Sequence, residues 1–256
     1  MINQMIKIVL AGCNGHMGRV VTELVKNDND VTITAGVDIN TVQQSDYPVY
    51  SNPCEITEEA DVVVDFSSPA ALLSLLEYSK NKNIPVILCA TGYTDEQTEK
   101  IKEAAAHIPV FRSGNMSLGI NLLADLIKRA CNVLGEDFDV EIVERHHRRK
   151  VDAPSGTALM LADAAAEALP YTPDYVYERE SKNKPRDKKE IGISAVRGGT
   201  VVGVHDVIFA GQDEVIELRH TASSRDIFAV GTLKAVKYIF NKPPGLYNMK
   251  NVLEQG

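Results

Sequence analysis

"IKIVLAGCNGHMGRVVTELV" (residues 6–25) decides the fold. Its first part is a short β-branched run that ends in glycine, the pattern of a buried parallel strand. Its last part sets Met17, Val20, Val21, Leu24 and Val25 at helical spacing. Between them lie Gly12, Gly15 and Gly18, where a strand must turn tightly into a helix. A backbone that can approach a pyrophosphate, followed by a helix start rich in free N–H groups, suits a dinucleotide. The spacing is G-x-x-G-x-x-G, with Asn14 where the stricter fingerprint carries glycine.

Context strengthens the reading. The next strand, "VTITAGVD" (31–38), ends on Asp38, 20 residues beyond Gly18. An acidic side chain there accepts hydrogen bonds from the ribose 2′-OH of NAD and repels the 2′-phosphate of NADP. Asp38 is followed by Ile39 with no arginine beside it, which favours NADH and leaves NADPH as the second option. Further on, "ADVVVDFS" (60–67), "IPVILCATG" (84–92) and "IPVFRSGN" (108–115) read as strands. They alternate with helices over "AALLSLLEYSKNKN" (70–83) and "DEQTEKIKEAAAH" (95–107). Strand and helix taking turns predicts an α/β domain, a doubly wound parallel sheet with crossover helices on both faces. Its strand ends at "CATGYT" and "SGNMS" offer small residues and backbone amides to the nicotinamide half of the cofactor.

The pattern changes after residue 117. A helix over "LGINLLADLIKRACNVL" (118–134) precedes a strand, "FDVEIVERHH", and a second helix, "SGTALMLADAAAEAL" (155–169). The charged stretch "ERESKNKPRDKKE" (178–190) has the low hydrophobicity of an exposed loop. "IGISAVRGG", "TVVGVHDVIFAG" and "DEVIELRHTAS" read as successive antiparallel strands with glycine-containing turns. A last amphipathic helix, "RDIFAVGTLKAVKYIF" (225–240), can return to the first domain.

With 256 residues, 44% of them hydrophobic and 24% charged, the chain can bury a sizeable core. A net charge of -8 excludes general nucleic-acid binding, which needs a basic surface. The N-terminal stretch lacks the apolar core and cleavage site of a signal peptide. No run approaches the roughly 20 apolar residues that span a bilayer. The expected location is the cytoplasm, with no membrane partner. Cys13, Cys54, Cys89 and Cys131 are widely spaced, without the pairing of a zinc cluster or a disulfide framework.

Against this acidic background "ERHHRRKVDAPSGTA" (144–158) holds six consecutive basic or potentially basic residues, Arg145 to Lys150. Adjacent His146 and His147 face opposite sides of an extended run and have no third ligand nearby, so no metal is expected. A nucleic-acid contact would want aromatic neighbours, and the run has none. The residues just beyond it favour a small anion. Ser155, Gly156 and Thr157 open an alanine-rich helix whose first amides can face a carboxylate. Those amides contribute about 0.3–1 kcal/mol at an exposed site, so converging cations must supply the rest.

The segment "VERHHRRKVDAPSGTAL" resembles the motif E-x-H-H-x-x-K-x-D-A-P-S-G-T-A of the 4-hydroxy-tetrahydrodipicolinate (dihydrodipicolinate) reductase family. The resemblance extends to "AGCNGHMG", "DFSSP", "ATGYT", "SGNMSLGIN", "VRGGTVVGVHDVIF" and "HTASSRDIFAVG", nearly the whole chain. It implies a Rossmann-type dinucleotide-binding domain formed by residues 1–117 and 226–256. It also implies an α+β substrate-binding and oligomerisation domain over 118–225, with a mixed or antiparallel sheet, in a homotetramer. The implied reaction is hydride transfer from NAD(P)H to a cyclic dicarboxylate with loss of water, in lysine and diaminopimelate biosynthesis. By motif position His146 is the proton donor or acceptor, and Lys150 is the second donor and a carboxylate contact. His147 binds substrate, and Gly156 and Thr157 hold a carboxylate. The implied cofactor contacts are Gly12, Cys13, Asn14, Gly15, His16 and Met17, then Asp38, Cys89, Ala90, Thr91, Ser113, Gly114, Asn115 and Met116. Ser68 stands where some members carry a basic residue that helps with a 2′-phosphate.

Lys150, among His and Arg cations, is expected to release its proton more readily than a free lysine. Arg145, Arg148 and Arg149 fall outside the motif and read as surface or interface charges. Two rivals stay open at this point. One is a related dehydrogenase of amino-acid metabolism, such as a homoserine or diaminopimelate dehydrogenase. The other is a redox sensor that reads NADH without turning it over.

Overall fold

The computed structural model describes residues 5–255. The chain divides into two compact units, Met1–Ser117 with Asp226–Gly256, and Leu118–Arg225.

The first unit contains β1 (Ile6–Ala11), α1 (His16–Val25), β2 (Val31–Val37), β3 (Val49–Tyr50), β4 (Val62–Asp65), α2 (Leu72–Lys82), β5 (Val86–Leu88), α3 (Asp95–Ala105) and β6 (Pro109–Arg112). The second contains α4 (Leu118–Leu134), β7 (Asp139–His146), α5 (Gly156–Ala166), β8 (Asp174–Val176), β9 (Glu190–Arg197), β10 (Gly203–Ala210) and β11 (Val215–Ala222). The chain then returns to the first unit with α6 (Asp226–Ile239), β12 (Gly245–Tyr247) and α7 (Met249–Leu253).

In the first unit the strands form one parallel sheet in the order β12-β6-β5-β4-β1-β2-β3. Residues 8–11 of β1 and all of β4 are buried, so the apolar runs Ile8–Ala11 and Val62–Val64 are what a strand covered on both faces requires. The order reverses between β1 and β4, and their carboxyl ends border the crevice where open α/β sheets take ligands. Helix α6 is anchored to this unit by Lys237, whose Nζ lies 3.0 Å from Asp28 and 2.7 Å from Asp30. It also packs so closely on the turn after β6 that a Cβ at Gly231 would fall 1.7 Å from the Met116 carbonyl oxygen.

The second unit has a mixed sheet in the order β11-β10-β7-β9-β8. Helices α4 and α5 contribute Leu123, Ile127, Leu161 and Ala162 to a core with Ile142, Ile191, Ile193 and Phe209. The expected run of three successive antiparallel strands holds only for β10 and β11. Strand β9 instead pairs parallel to β7 and β8, and β7 pairs antiparallel to β10 along its other edge. Because β7 occupies one edge of each, β9 and β10 flank it rather than each other. The charged stretch 178–190 is strapped down rather than loose. Arg186 reaches Asp139 at 2.8 Å and Glu141 at 2.9 Å, while Arg179 binds Glu190 at 2.6 Å and also meets Glu141. Among the described residues no helix is long and apolar enough to cross a membrane.

Candidate active site

In the first unit the glycine loop leaves β1 through Gly12, whose φ of +74° is a left-handed conformation that glycine tolerates best. A Cβ there would lie 2.6 Å from the Phe66 carbonyl oxygen, and one at Gly18 would lie 2.2 Å from the Gly12 carbonyl oxygen. The loop closes through a 3.0 Å bond from the Gly15 N–H to the Gly12 carbonyl. Helix α1 then begins at His16 with no side-chain cap, so its first amides, including those of His16 and Met17, are left to other acceptors.

Asn14, the departure from the stricter fingerprint, has a definite task. Its Nδ2 donates to the carbonyls of Asn40 (2.6 Å) and Val42 (2.9 Å), and its N–H donates to Asp38 Oδ2 at 3.0 Å. Asp38 Oδ1 accepts from the Asn40 N–H at 3.0 Å, so the half-buried carboxylate is held beside the glycine loop. These features fit an adenine dinucleotide: a close-approach turn, an uncapped helix start and an oriented acid at the second strand end.

Two more turns lie at the same carboxyl edge of the sheet. Cys89, Ala90 and Thr91 follow β5, and the Cys89 N–H donates to the Asp65 carbonyl at 2.9 Å. Burial pushes the Cys89 thiol up to about 12, so it stays protonated rather than acting as a nucleophile. Ser113, Gly114, Asn115 and Met116 follow β6. Ser113 Oγ donates to the Asn115 carbonyl at 3.0 Å, Asn115 Oδ1 accepts from the Ser117 N–H at 2.8 Å, and Met116 is buried.

In the second unit the basic run is not one patch. Strand β7 alternates buried and half-buried residues, and its buried face carries Val140, Ile142, Glu144 and His146 in sequence. Glu144 has no exposed surface. Its Oε2 accepts from His146 Nδ1 at 2.6 Å and from Arg197 Nη1 at 2.7 Å, and its Oε1 accepts from Arg197 Nη2 at 2.7 Å and from the Ser155 N–H at 3.0 Å. Burial alone would raise the Glu144 carboxyl, but bonds from Arg197, His146 and Ser155 outweigh it and hold the carboxyl below its ordinary value.

His205, on β10, packs edge-on against His146 with ring centroids 5.2 Å apart, and its Nε2 lies 3.1 Å from Ser155 Oγ. Burial first, then the neighbouring His146, pushes the His205 imidazole down to about 4. It is therefore neutral at physiological pH. Glycine at 203 leaves room beside the outer ring nitrogen of His146, since a Cβ there would come within 3.1 Å of Nε2.

Ser155 caps α5 by accepting from the Ala158 N–H at 3.1 Å. Gly156 and Thr157 form the first turn beyond it, and a Cβ at Gly156 would meet open space. Lys150 Nζ lies 2.8 Å from the Asp152 carboxylate, so its surroundings are not purely cationic as the sequence suggested. The Lys150 ammonium in turn holds the Asp152 carboxyl below its usual range. His147 is half-buried, and burial together with Arg225 and Arg149 lowers its imidazole. Arg145 lies on the opposite face of β7 and pairs with Asp206 at 2.6 Å, away from this cluster, while Arg148 and Arg149 are exposed. Among the described residues no group of three or more His, Cys, Asp or Glu side chains could hold a metal ion.

The structure thus brings together His146, Ser155 and the helix start at Gly156 and Thr157. It adds three residues to which sequence reasoning gave no role: Glu144, Arg197 and His205. The available signal for Glu144 was its period-two spacing from His146, which puts both side chains on one strand face.

Known proteins share both units. Residues 6–116 match the family model "Dihydrodipicolinate reductase, N-terminus", and residues 119–253 match "Dihydrodipicolinate reductase, C-terminus". A 4-hydroxy-tetrahydrodipicolinate reductase of Caldanaerobacter subterraneus subsp. tengcongensis is 51% identical over 252 residues, covering 98% of this chain and 100% of that protein. One from Clostridium tetani is 49% identical over 249 residues, covering 97% of each. Among solved structures, a dipicolinate-bound dihydrodipicolinate reductase from Paenisporosarcina sp. TG-14 superposes with a TM-score of 0.82 at 25% identity, covering 97% of this chain and 99% of that one.

Proposed function

The chain belongs to the dihydrodipicolinate reductase family, and from that premise we infer that it catalyses the NAD(P)H-dependent reduction of 4-hydroxy-tetrahydrodipicolinate. Water is lost, tetrahydrodipicolinate forms, and the step serves lysine and diaminopimelate biosynthesis. This sets aside the other dehydrogenases and the NADH sensor. The observation that carries the reading is the buried cluster in which a carboxylate-backed histidine stands beside the start of α5.

The roles follow from the chemistry of each group. Gly156 and Thr157 present first-turn amides to one carboxylate of the substrate, and Lys150 and His147 supply the cationic and hydrogen-bonding contacts that amides alone cannot match. Dipicolinate, bound in the Paenisporosarcina relative, is a dicarboxylate of the same kind. When bound to the first unit, the nicotinamide supplies a hydride to an electron-poor carbon. Negative charge then appears on the substrate, and His146 or Lys150 delivers the proton that quenches it. A positioned acid of this kind is typically worth about 10²- to 10⁴-fold. Around the cofactor, the amides from Gly12 to Met17 take the pyrophosphate. Cys89 to Thr91 and Ser113 to Met116 line the nicotinamide half, and Asp38 takes the ribose. Its carboxylate beside the loop supports a preference for NADH over NADPH.

A homotetramer in the cytoplasm completes the reading. One supporting feature is exposed apolar surface on the second sheet, with Val196 49% and Val215 59% exposed. The test of function is optical: the preceding synthase makes the substrate in situ, and oxidation of NADH and NADPH is followed. Substrate-dependent oxidation, faster with NADH, is expected. Oxidation that ignores the substrate would overturn the reading.

A further inference from the structure

A buried glutamate two residues before the reactive histidine needs a reason, since neither the hydride step nor the proton step uses it. Glu144 receives four N–H donors, two on each oxygen: Ser155 N and Arg197 Nη2 on Oε1, His146 Nδ1 and Arg197 Nη1 on Oε2. Those four bonds use the whole acceptor capacity of an ionised carboxylate. Three of the donors, the two guanidinium nitrogens and the backbone amide, can only donate. The fourth, the imidazole, could be donor or acceptor at Nδ1, and the carboxylate permits only the donor. The neutral ring must then carry its proton on Nδ1 and its lone pair on Nε2, the edge that Gly203 leaves uncrowded. The same carboxylate fixes the backbone of Ser155, the residue that caps α5. Arg197 extends the clamp, donating from Nη2 to the Asp152 carbonyl at 2.6 Å within the segment that carries Lys150.

We propose that Glu144, braced by Arg197, is the positioning residue of this active site: it fixes Nε2 as the proton-exchanging nitrogen of His146 and ties that nitrogen to the carboxylate-binding helix start. It acts through His146 and touches no reacting atom. The inference rests on the reading of His146 as a proton-transfer group.

Glu144→Gln provides a sharp test, because the amide NH₂ must replace one oxygen. Placed at Oε1, it would face two obligate donors. Placed at Oε2, it faces only one, because the imidazole can respond by moving its proton to Nε2. The variant therefore selects the other tautomer, whose Nδ1 lone pair is taken by the introduced amide. Its Nε2 can then no longer take up a proton and pass it to the substrate from an imidazolium that Glu144 supports; its Nε2–H belongs to a neutral ring, a far weaker acid.

The experiment is long-range ¹H–¹⁵N NMR on the full chain labelled in histidine, with His146 assigned by its loss in His146→Asn. Steady-state kinetics with NADH run alongside. The wild type is expected to carry the neutral-state proton on Nδ1 and the variant on Nε2. The kcat of the variant should fall by at least about tenfold, with the KM for NADH unchanged. A wild-type proton on Nε2, an unchanged tautomer in the variant, or a flipped tautomer with wild-type kcat would each overturn the proposal. Should the variant fail to fold, the wild-type tautomer decides alone. Should the wild type not turn over at all, the functional reading fails, while the tautomer still reports on Glu144.

Discussion

Replacing His205 with glutamine should change how stability depends on pH, by an amount the structure allows to be worked out. The ring is 4% exposed and contacts His146 edge-on. Burial, then the His146 neighbour, pushes its imidazole down to about 4. In the unfolded chain it titrates near its ordinary value of about 6.5. Between those limits the unfolded state binds the proton and the folded state does not. Stability is therefore complete above the unfolded value and is lost as pH falls toward the folded one. One pK unit is about 1.4 kcal/mol, so the whole shift corresponds to about 3 kcal/mol, of which about 2 kcal/mol disappears between pH 7 and pH 5. Glutamine can still bond to Ser155 but does not titrate. Urea unfolding at both pH values should show the wild type losing about 2 kcal/mol more than the variant. Parallel losses would refute the claim that His205 is buried in its neutral form. Its functional meaning is that His146 can take a proton without facing a second imidazolium in the ring it packs against.

Three other outcomes are expected of the site. His146→Ala and Lys150→Ala should each lower kcat by at least about 10²-fold while NADH still binds, measurable by turnover and by quenching of NADH fluorescence. Near-normal turnover would remove that residue from the proton-transfer step. Asp38→Ala should raise the NADPH to NADH ratio of kcat/KM by about tenfold, the effect of removing about 1.4 kcal/mol of repulsion from a 2′-phosphate. An unchanged ratio would show that Asp38 is not the discriminator. Gly203→Ala sets a methyl 3.1 Å from His146 Nε2. It should cut kcat by at least about tenfold while lowering stability by no more than about 1–3 kcal/mol, read from kcat and from Tm together.

The extent to which the sequence revealed this molecule depended on how local each signal was. The junction at Gly12–Gly18 was legible because strand, turn and helix are contiguous and a Cβ at Gly12 or Gly18 would strike backbone. Strands β3 and β12, two and three residues long, fall below the length at which alternation can be recognised. The parallel pairing of β9 with β7 was not legible, since a strand followed by Gly198 and Gly199 is equally compatible with a hairpin. The clamp on Glu144 was missed for a similar reason. Arg197 is 53 positions away in sequence, and only folding sets its guanidinium against the carboxylate. The partner of Lys150 was closer to hand. Asp152 stands two residues on, and counting only the cations of the run left it out.

The central claim is that this chain moves a hydride onto a cyclic dicarboxylate and protonates it from the cluster around His146. The most direct measurement uses NADH deuterated at both C4 positions, with 4-hydroxy-tetrahydrodipicolinate generated in situ and the product weighed by mass spectrometry. The account predicts tetrahydrodipicolinate heavier by one deuterium for each NADH consumed, formed far more slowly by His146→Ala. NADH oxidation that leaves the product unlabelled, or no oxidation in the presence of substrate, would contradict it.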